Sequence, residues 1–429
     1  MMSRPLPPAS IAPRAAAIWL VHQVVTGRRL MSDLAEAPAL TALDPADRAR
    51  AQRLALDTLR VLPRADRVLA PHLARRPPAQ VMNALRLAVA EVMAGEAAHG
   101  VVNDIVAILA ADRKLAPFKG LANAVLRKAV ATTPAAWAAL PVPGLPDWLR
   151  APVKAAWGRA ALAGIEAAHL AGAALDITPK WDAAALAARL GGVLLPTGSV
   201  RLAGAGQVST LAGYDDGDWW VQDAAAAIPA LVLGAGPGLR VLDLCAAPGG
   251  KTMQLAAAGA QVTALDASAA RLVRLGHNLA RTGLTAQVAQ GDALNWAEGS
   301  FDAVLLDAPC SATGTIRRHP DLPIARDGAE LPRLIATQAA MIDHALTLLN
   351  PGGRLVYAVC SLLLAEGEAQ ARAALARHSG LTADHAAYAR PGVDPGWITA
   401  EGGLRLRPDH WAEIGGMDGF YIIAFRKPA

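Results

Sequence analysis

The stretch Val304-Leu-Leu-Asp-Ala-Pro-Cys310 begins as an apolar run typical of a buried strand and is broken by its proline. The break places Asp307 and Cys310 on the loop at the strand's carboxyl end, and ligands bind at that edge in an open parallel sheet. A second apolar run, residues 354–359, ends in the same way at Cys360. A lone Cys is more often a small buried hydrophobic residue than a reactive thiol. Two strand ends that each carry one of only three cysteines nevertheless indicate paired thiol chemistry.

Around this stretch, from about residue 236 onward, short apolar runs alternate with helical patterns, which is typical of a parallel sheet with crossover helices. The expected strands are 240–244, 261–265, 287–289, 303–306 and 354–359, with 404–406 and 420–425 closing the sheet. The last of them is a candidate for antiparallel pairing. We therefore predict a Rossmann-like α/β domain over residues 236–429.

The front of the chain differs in pattern and in charge. Residues 10–130 show apolar positions three and four apart without strand-type alternation, which predicts an all-α domain over residues 1–135. Residues 1–130 hold 18 Lys and Arg against 10 Asp and Glu, a net charge of +8, whereas the whole chain carries +5 and the remainder therefore −3. This asymmetry fits an RNA-binding arm on a catalytic body, although an ordinary Arg-rich helical surface would have the same composition.

A Pro-rich connector and a small α+β unit are expected between these domains, over residues 136–235. In the α+β unit, a helical pattern at 183–190 alternates with strand-like pieces at 192–195 and 200–202. The sequence thus predicts a multidomain protein with three domains in one chain.

A Gly-rich turn follows the first expected strand of the α/β domain, in Asp243-Leu-Cys-Ala-Ala-Pro-Gly-Gly-Lys-Thr252. Its glycines let a ligand approach the backbone closely, and the following helix offers free N–H groups. The spacing fits neither a P-loop nor the GxGxxG fingerprint of dinucleotide sites. Asp266 and Asp292 follow the next two strands, where acids can bind a ribose hydroxyl pair and an adenine amino group, although each could simply cap a helix. Acids without a phosphate cradle favour a nucleoside that carries no phosphate, and S-adenosylmethionine is the common one.

Composition argues against several other classes of protein. No uninterrupted apolar run reaches the ~18 residues of a membrane span, and the first residues show no signal-peptide pattern. Three cysteines, an odd number, argue against a disulfide framework and for the reducing cytoplasm. Their spacing offers no CxxC motif or Cys/His cluster, so no metal site is expected. We also expect a monomer.

The assembled motifs closely resemble those of the Sun/Fmu-type (RsmB-like) bacterial ribosomal RNA cytosine carbon-5 methyltransferases. The matching pieces lie in the family's order, at 243–252, 266, 291–293, 307–314, 318–321, 360–362 and 418–420. The front domain resembles the NusB-type all-α RNA-binding domain at His99, Asn103, residues 123–127 and Asp47-Arg48. The chain departs from the family pattern at 176–180, 322–326 and 363–368.

The resemblance implies a role for each thiol. Cys360 would add as a thiolate to carbon 6 of the target cytosine, and Cys310 would assist release of the methylated product. The opposite assignment, in which Cys310 attacks as in DNA cytosine methyltransferases, stays open. Asp307 would hydrogen-bond the polar edge of the pyrimidine, and Lys251 would lower the pKa of the nucleophilic thiol or orient Asp307.

The resemblance also implies where the other ligands bind. S-adenosylmethionine would be held by Cys245, Ala246, Ala247, Pro248, Gly249, Gly250, Lys251, Asp266, Arg271, Asp292 and Asp307. RNA would contact Arg317, Arg318, His319, Lys119, Arg127 and Lys128. Its target base would have to be unpaired or extruded to reach the thiols.

Two other functions fit the same residues. The chemistry could act on transfer RNA, because only the resemblance of the front domain favours 16S ribosomal RNA. A non-catalytic RNA-binding assembly factor would require loss of the site, yet both thiols, Asp307 and the Gly-Gly-Lys turn are present. The sequence does not identify the target cytosine, or say whether naked RNA or a ribosomal particle is the substrate.

Overall fold

The computed structural model describes residues 11–204 and 206–429, which divide into two units. The helical unit comprises residues 11–150, 169–172 and 318–327. The sheet unit comprises the other described residues, 151–168, 173–317 and 328–429. The three predicted domains are a different division of the chain, and their boundaries stay predictions.

Helices build the helical unit, as predicted. Their bounds are Ala12–Val25, Pro38–Thr41, Pro45–Arg60, Leu62–Leu69, Ala79–Met93, Ala98–Ala111, Lys119–Ala129 and Pro134–Ala138. Asp44 caps the helix Pro45–Arg60 by accepting a hydrogen bond from Asp47 N (2.8 Å). The helix Ala79–Met93 is buried from 81 to 91 and forms the centre of the apolar core.

The segment 318–327 belongs to the helical unit although its sequence neighbours belong to the sheet unit. It contains the short helix Leu322–Ala325. Within the unit, the Asp321 carboxylate accepts a hydrogen bond from Met31 N (2.9 Å), and the Arg28 guanidinium donates to the Ile324 carbonyl. Two polar contacts with residues 28 and 31 therefore tie this segment to the front of the chain.

A small antiparallel sheet follows the helix Asp147–Ala171, which is broken at Gly158 (φ 77°). Its strands in the described residues are β1 Leu175–Pro179, β2 Val193–Leu194, β3 Val200–Leu202 and β4 Trp219–Val221, in the order β2-β3-β1-β4. The helix Ala183–Leu190 lies between β1 and β2, at the predicted position. Strands β2 and β3 were expected from the pattern, whereas β1 and β4 were not.

The large sheet contains eight strands of the described chain. They are β5 Arg240–Leu244, β6 Gln261–Asp266, β7 Gln287–Gln290, β8 Phe301–Asp307, β9 Leu349–Val359, β10 Thr382–Ala383, β11 Leu404–Leu406 and β12 Phe420–Arg426. Their order is β10-β12-β9-β8-β5-β6-β7, with β11 paired to β12. Strands β5 to β9 run parallel and β12 pairs antiparallel with β9, which confirms the predicted pairing of the last strand.

Both faces of this sheet are covered. Neighbouring residues of one strand enter different cores, since Val241 and Leu305 pack on one side and Leu242 and Leu306 on the other. The flanking helices are Ala224–Leu233, Gly250–Ala257, Ala269–Thr282, Leu331–Thr347 and Glu368–Arg377. The predicted fold class, an all-α front with a Rossmann-like α/β domain, is thereby confirmed. Among the described residues, no helix combines the length and apolar character that crossing a bilayer requires.

Candidate active site

The candidate site lies at the carboxyl edge of the parallel strands. The chain order changes direction at β5, with β6 and β7 on one side and β8 and β9 on the other. Such a switch point opens a crevice above the strand ends. Cys245, Asp266, Asp307 and Cys360 each end or directly follow one of these strands. Parallel pairing therefore brings both predicted sets of residues, for the donor and for the base, to one edge.

The two predicted reactive thiols are neighbours. Cys310 Sγ and Cys360 Sγ lie 3.5 Å apart, and both residues are partly buried. Backbone hydrogen bonds join the two loops, from Ala308 N to Ala358 O and from Gly314 N to Cys360 O (both 2.9 Å). One small ring could contact both sulfur atoms at this separation.

A partly buried ion pair lies beside the thiols. Lys251 Nζ donates to Asp307 Oδ2 (2.7 Å), and the ring of Phe420 lies 5.5 Å from Nζ. Burial alone would lower the pKa of Lys251, but the negative charges of Asp307 and, more weakly, Cys360 raise it above its ordinary value. Lys251 therefore stays an ammonium ion that is paired with Asp307 and does not act as a base.

Cys310 has a different electrostatic environment. Its hydrogen bond with Cys360, its burial and the negative charges of Cys360 and Glu366 raise the pKa of Cys310 well above the ordinary value. Cys310 is therefore held as a neutral thiol, which is a poor nucleophile.

The Gly-rich loop begins at Cys245, whose backbone is left-handed (φ 61°). Behind it, Asp243 is buried and accepts a hydrogen bond from Thr252 Oγ1 (2.6 Å). Burial raises the pKa of Asp243 to about 7. Burial, with the added charge of Asp307, raises the pKa of Cys245 to about 12. Cys245 is thus a neutral thiol at neutral pH, and its expected role in holding the donor stays a prediction.

Asp266 holds the same loop in place. Its carboxylate accepts hydrogen bonds from Ala247 N (3.1 Å) and Ser268 N (2.9 Å), and Arg271 Nη1 lies 3.4 Å from Oδ2. Asp292, by contrast, is exposed and caps the turn that follows it. The other predicted donor-binding residues belong to this loop and to the first turn of the next helix: Ala246, Ala247, Pro248, Gly249, Gly250 and Lys251.

These groups fit S-adenosylmethionine, whose sulfonium is a cation. Burial is the main cause of the raised pKa of Asp243, and the charges of Asp307 and Asp266 raise it further against the opposing charge of Lys251, so three acids lie close together at this edge of the sheet. A bound cation would relieve their repulsion, whereas a phosphate would increase it. Among the described residues, no group of three or more His, Cys, Asp or Glu is placed to hold a metal ion.

The structure corrects the prediction that Arg317 contacts RNA, because its side chain is buried. Its side chain is 1 % exposed, and it lies 2.9 Å from Asp223 Oδ2 and 3.6 Å from Asp418 Oδ1. It also donates to the Gly415 carbonyl (2.7 Å). An arginine enclosed in this way has no surface to offer to RNA, because its charge is needed to balance two buried carboxylates.

The other predicted RNA contacts lie in the helical unit. Lys119, Arg127 and Lys128 are exposed on the helix Lys119–Ala129, whose opposite face is buried. His319 is exposed and Arg318 is half-buried in the segment 318–327. The exposed positions could contact a polyanion, and RNA binding stays a prediction for each of them.

Two features of the site escaped the sequence analysis. Glu366 is fully buried and accepts hydrogen bonds from the residues that follow Cys310 and Cys360. Gly314 and Gly419 touch, since Gly419 N donates to Gly314 O (2.8 Å) and a Cβ on Gly314 would lie 1.9 Å from Gly419 O. Only the acidic residues after Cys360 and the two glycines themselves offered a signal in the sequence.

Comparison with known proteins places this site in a family. Residues 230–426 match the family described as 16S rRNA methyltransferase RsmB/F, and residues 12–131 match the NusB family. Ribosomal RNA small subunit methyltransferase B of Pseudomonas putida is 35% identical over 447 residues, which cover 97% of this chain and 99% of that protein. The protein of the same name from Xanthomonas campestris pv. campestris is 36% identical over 463 residues, with 100% of each chain covered.

A solved structure agrees on the fold. The crystal structure of PH0851 superposes with a TM-score of 0.76 at 22% identity and covers 99% of both chains. The curated relatives and the family of residues 230–426 are methyltransferases, so the predicted methyl donor, S-adenosylmethionine, is confirmed. Both resemblances found in the sequence are confirmed as well: the chain belongs to the 16S rRNA methyltransferase RsmB/F family and carries a NusB-family domain at its front.

Proposed function

We propose that this protein methylates carbon 5 of a specific cytosine in 16S ribosomal RNA through a covalent bond between Cys360 and the base. Two relatives that match along the full chain are named ribosomal RNA small subunit methyltransferase B, which supports the choice of RNA. The observation that carries the chemistry is the 3.5 Å separation of Cys310 Sγ and Cys360 Sγ beside the Lys251–Asp307 pair. The proposal includes a cytoplasmic monomer.

The thiols would act in sequence. Carbon 5 of cytosine is a weak nucleophile, and addition of the Cys360 thiolate at carbon 6 turns the ring into an enamine that reacts at carbon 5. The Lys251 ammonium would attract this thiolate, and Asp307, held by Lys251, would hydrogen-bond the polar edge of the base. S-adenosylmethionine supplies the methyl group when it is bound.

Release of the product requires a base for the carbon-5 proton, and the geometry favours Cys310. Two of the factors that raise the pKa of Cys310 are its hydrogen bond with Cys360 and the negative charge of Cys360. Both disappear once the Cys360 sulfur is bonded to carbon 6. The pKa of Cys310 would then fall, so that its thiolate can take the carbon-5 proton while the bond from carbon 6 to the Cys360 sulfur breaks.

Substitution of each thiol tests the assignment. The variant Cys360→Ala should form no adduct and no 5-methylcytosine. The variant Cys310→Ala should form the adduct and fail to release it, which leaves a slowly migrating RNA–protein band on a denaturing gel. If the band appears in Cys360→Ala instead, Cys310 is the nucleophile and the assignment is reversed.

Mapping of 5-methylcytosine tests the substrate. Bisulfite sequencing of total RNA from cells with and without the gene should reveal one missing methylation in 16S ribosomal RNA. A loss confined to transfer RNA would contradict the proposed substrate and leave the chemistry intact. No loss of 5-methylcytosine, together with no adduct in any variant, would overturn the proposed function as a whole.

A further inference from the structure

The side chain of Glu366 is fully buried between the two loops that carry the thiols. Its Oε1 accepts hydrogen bonds from Ser311 N (2.9 Å) and Gln338 Nε2 (3.0 Å). Its Oε2 accepts hydrogen bonds from Ser311 Oγ and Ser361 Oγ, both at 2.5 Å. Four donors match the roughly four lone-pair sites that a carboxylate offers. Such complete satisfaction of a buried group fixes its position.

The donors are not arbitrary residues. Ser311 directly follows Cys310, and Ser361 directly follows Cys360. Gln338 Nε2 also donates to the carbonyl of Pro309 (2.9 Å), the residue that precedes Cys310. The backbone on both sides of Cys310 is therefore held, directly or through one amide, by the same carboxylate that holds the residue after Cys360.

The backbone carbonyls of Glu366 and Ser361 also accept hydrogen bonds from buried side chains. The hydroxyl of Tyr357, a fully buried residue of β9, donates to the Glu366 carbonyl (2.6 Å). Arg405 donates to the Ser361 carbonyl, at 2.5 Å, on the far side of the same loop. These contacts tie the backbone around the network to β9 and β11, and the Glu366 carboxylate joins both cysteine loops to it.

We propose that Glu366 is a positioning residue that sets the separation of the two catalytic thiols by bridging Ser311 and Ser361. This inference rests on the proposed function in so far as both thiols must meet one pyrimidine. The negative charge of Glu366 has a second effect. It contributes to the raised pKa of Cys310 and so helps to keep that thiol neutral until Cys360 has reacted.

Two substitutions separate position from charge. In Glu366→Gln, the amide oxygen can accept from Ser311 N and Gln338, and the amide nitrogen can donate to the two serine hydroxyls once they rotate. The bridge then survives without its charge. In Glu366→Ala, the bridge is lost and four buried donors lose their acceptor. The double variant Ser311→Ala/Ser361→Ala removes both hydroxyl contacts to Glu366, together with the contact between the two hydroxyls (3.2 Å), and serves if Glu366→Ala does not fold.

The first measurement needs no RNA. A thiol-oxidising diazene takes two electrons and two protons from a thiol pair and leaves a disulfide, so its rate of joining Cys310 to Cys360 reports their proximity. Mass spectrometry of the linked peptides gives that rate, and S-adenosylmethionine binding by calorimetry gives the folded fraction. Per folded molecule, the rate should fall at least about tenfold in Glu366→Ala and stay within about threefold of the unchanged protein in Glu366→Gln.

The second measurement follows adduct formation with RNA and the pH dependence of Cys310 alkylation. Single-turnover adduct formation should follow the same order of variants. Alkylation of Cys310 should begin at lower pH in Glu366→Gln than in the unchanged protein, which a purely structural role would not produce. The control is Asp384→Asn, because Asp384 is another mostly buried carboxylate of the sheet unit, and it pairs with Arg354 in the middle of β9 and with Arg426 at the end of β12.

The outcomes are distinct. The inference is overturned if folded Glu366→Ala, or the double serine variant in its place, forms the disulfide as fast as the unchanged protein. It is also overturned if Asp384→Asn slows the reaction equally. If the disulfide rates follow the expected order but the unchanged protein forms no RNA adduct, the positioning role stands and the proposed function fails.

Discussion

Asp243, a buried acid near the carboxyl end of β5, makes the stability of the folded protein depend on pH. It is 1 % exposed, and its Oδ1 has no hydrogen-bond partner among the described residues. Burial raises the pKa of Asp243 to about 7, so the folded protein keeps a proton that the unfolded chain releases near pH 4. The stability associated with this proton is present at low pH and is lost as pH rises toward 7.

Replacing Asp243 by Asn should remove this pH dependence. An amide oxygen can still accept the hydrogen bond of Thr252 Oγ1 but does not titrate. Between about pH 4 and pH 7, the free energy of unfolding of the unchanged protein should fall relative to Asp243→Asn, by about 2–4 kcal/mol. Urea unfolding of both proteins across that range, followed on the sheet unit's transition, measures the difference. Parallel curves would show that Asp243 does not hold its proton.

At the scale of elements, two loops of the sheet unit cross where two glycines touch. The turn after β8 meets the start of β12 where Gly314 and Gly419 touch, with no room for a Cβ on Gly314. This crossing brings the loop of Cys310 against Phe420, whose ring lies near Lys251. A side chain at residue 314 would have to push apart backbone atoms, which cannot rotate away as a flexible side chain can.

The variant Gly314→Ala should therefore destabilise the sheet unit by about 3 kcal/mol or more. A matched control is Gly276→Ala in the helix Ala269–Thr282, where a new Cβ would meet nothing within 4 Å. That change should stabilise the same unit by about 0.5–1 kcal/mol, because alanine favours helix. Thermal unfolding of both variants shows whether each change lowers or raises the stability of the sheet unit. Equal, small effects would mean that the crossing can open at little cost.

Some strands and site residues of the sheet unit were predictable from the sequence, and others were not. The strands β5, β6, β8 and β9 were predicted because a strand buried on both faces reads as an apolar run, whereas β7 was predicted although it is mostly exposed. The neighbouring positions of Cys310 and Cys360 were predicted from their place at strand ends. The strand β10 was missed because only two residues pair. Arg317 and Glu366 were misread or missed because burial of a charge depends on partners far away in sequence, such as Asp223.

At the scale of the molecule, the charge lies unevenly. The first 130 residues carry +8 and the rest −3, and Asp243, Asp266 and Asp307 lie together at the carboxyl edge of the parallel strands. A cationic donor and a polyanionic RNA have opposite electrostatic needs. The predicted RNA contacts of the helical unit and the predicted donor site of the sheet unit would meet both needs, since a single basic cleft would repel the sulfonium and a single acidic one would repel RNA.

This division predicts the effect of removing cations from one helix. With Lys119, Arg127 and Lys128 all replaced by Ala, RNA binding should weaken, and the slope of log affinity against log salt should shrink by about 2, because each lost phosphate contact removes about 0.7. Affinity for S-adenosylmethionine should not change. The control replaces Arg53, Arg75 and Arg76, which are exposed cations of the same unit and give the same change in net charge. Filter binding at several salt concentrations gives both slopes. An equal fall in the control would mean that total charge, and not this helix, attracts RNA.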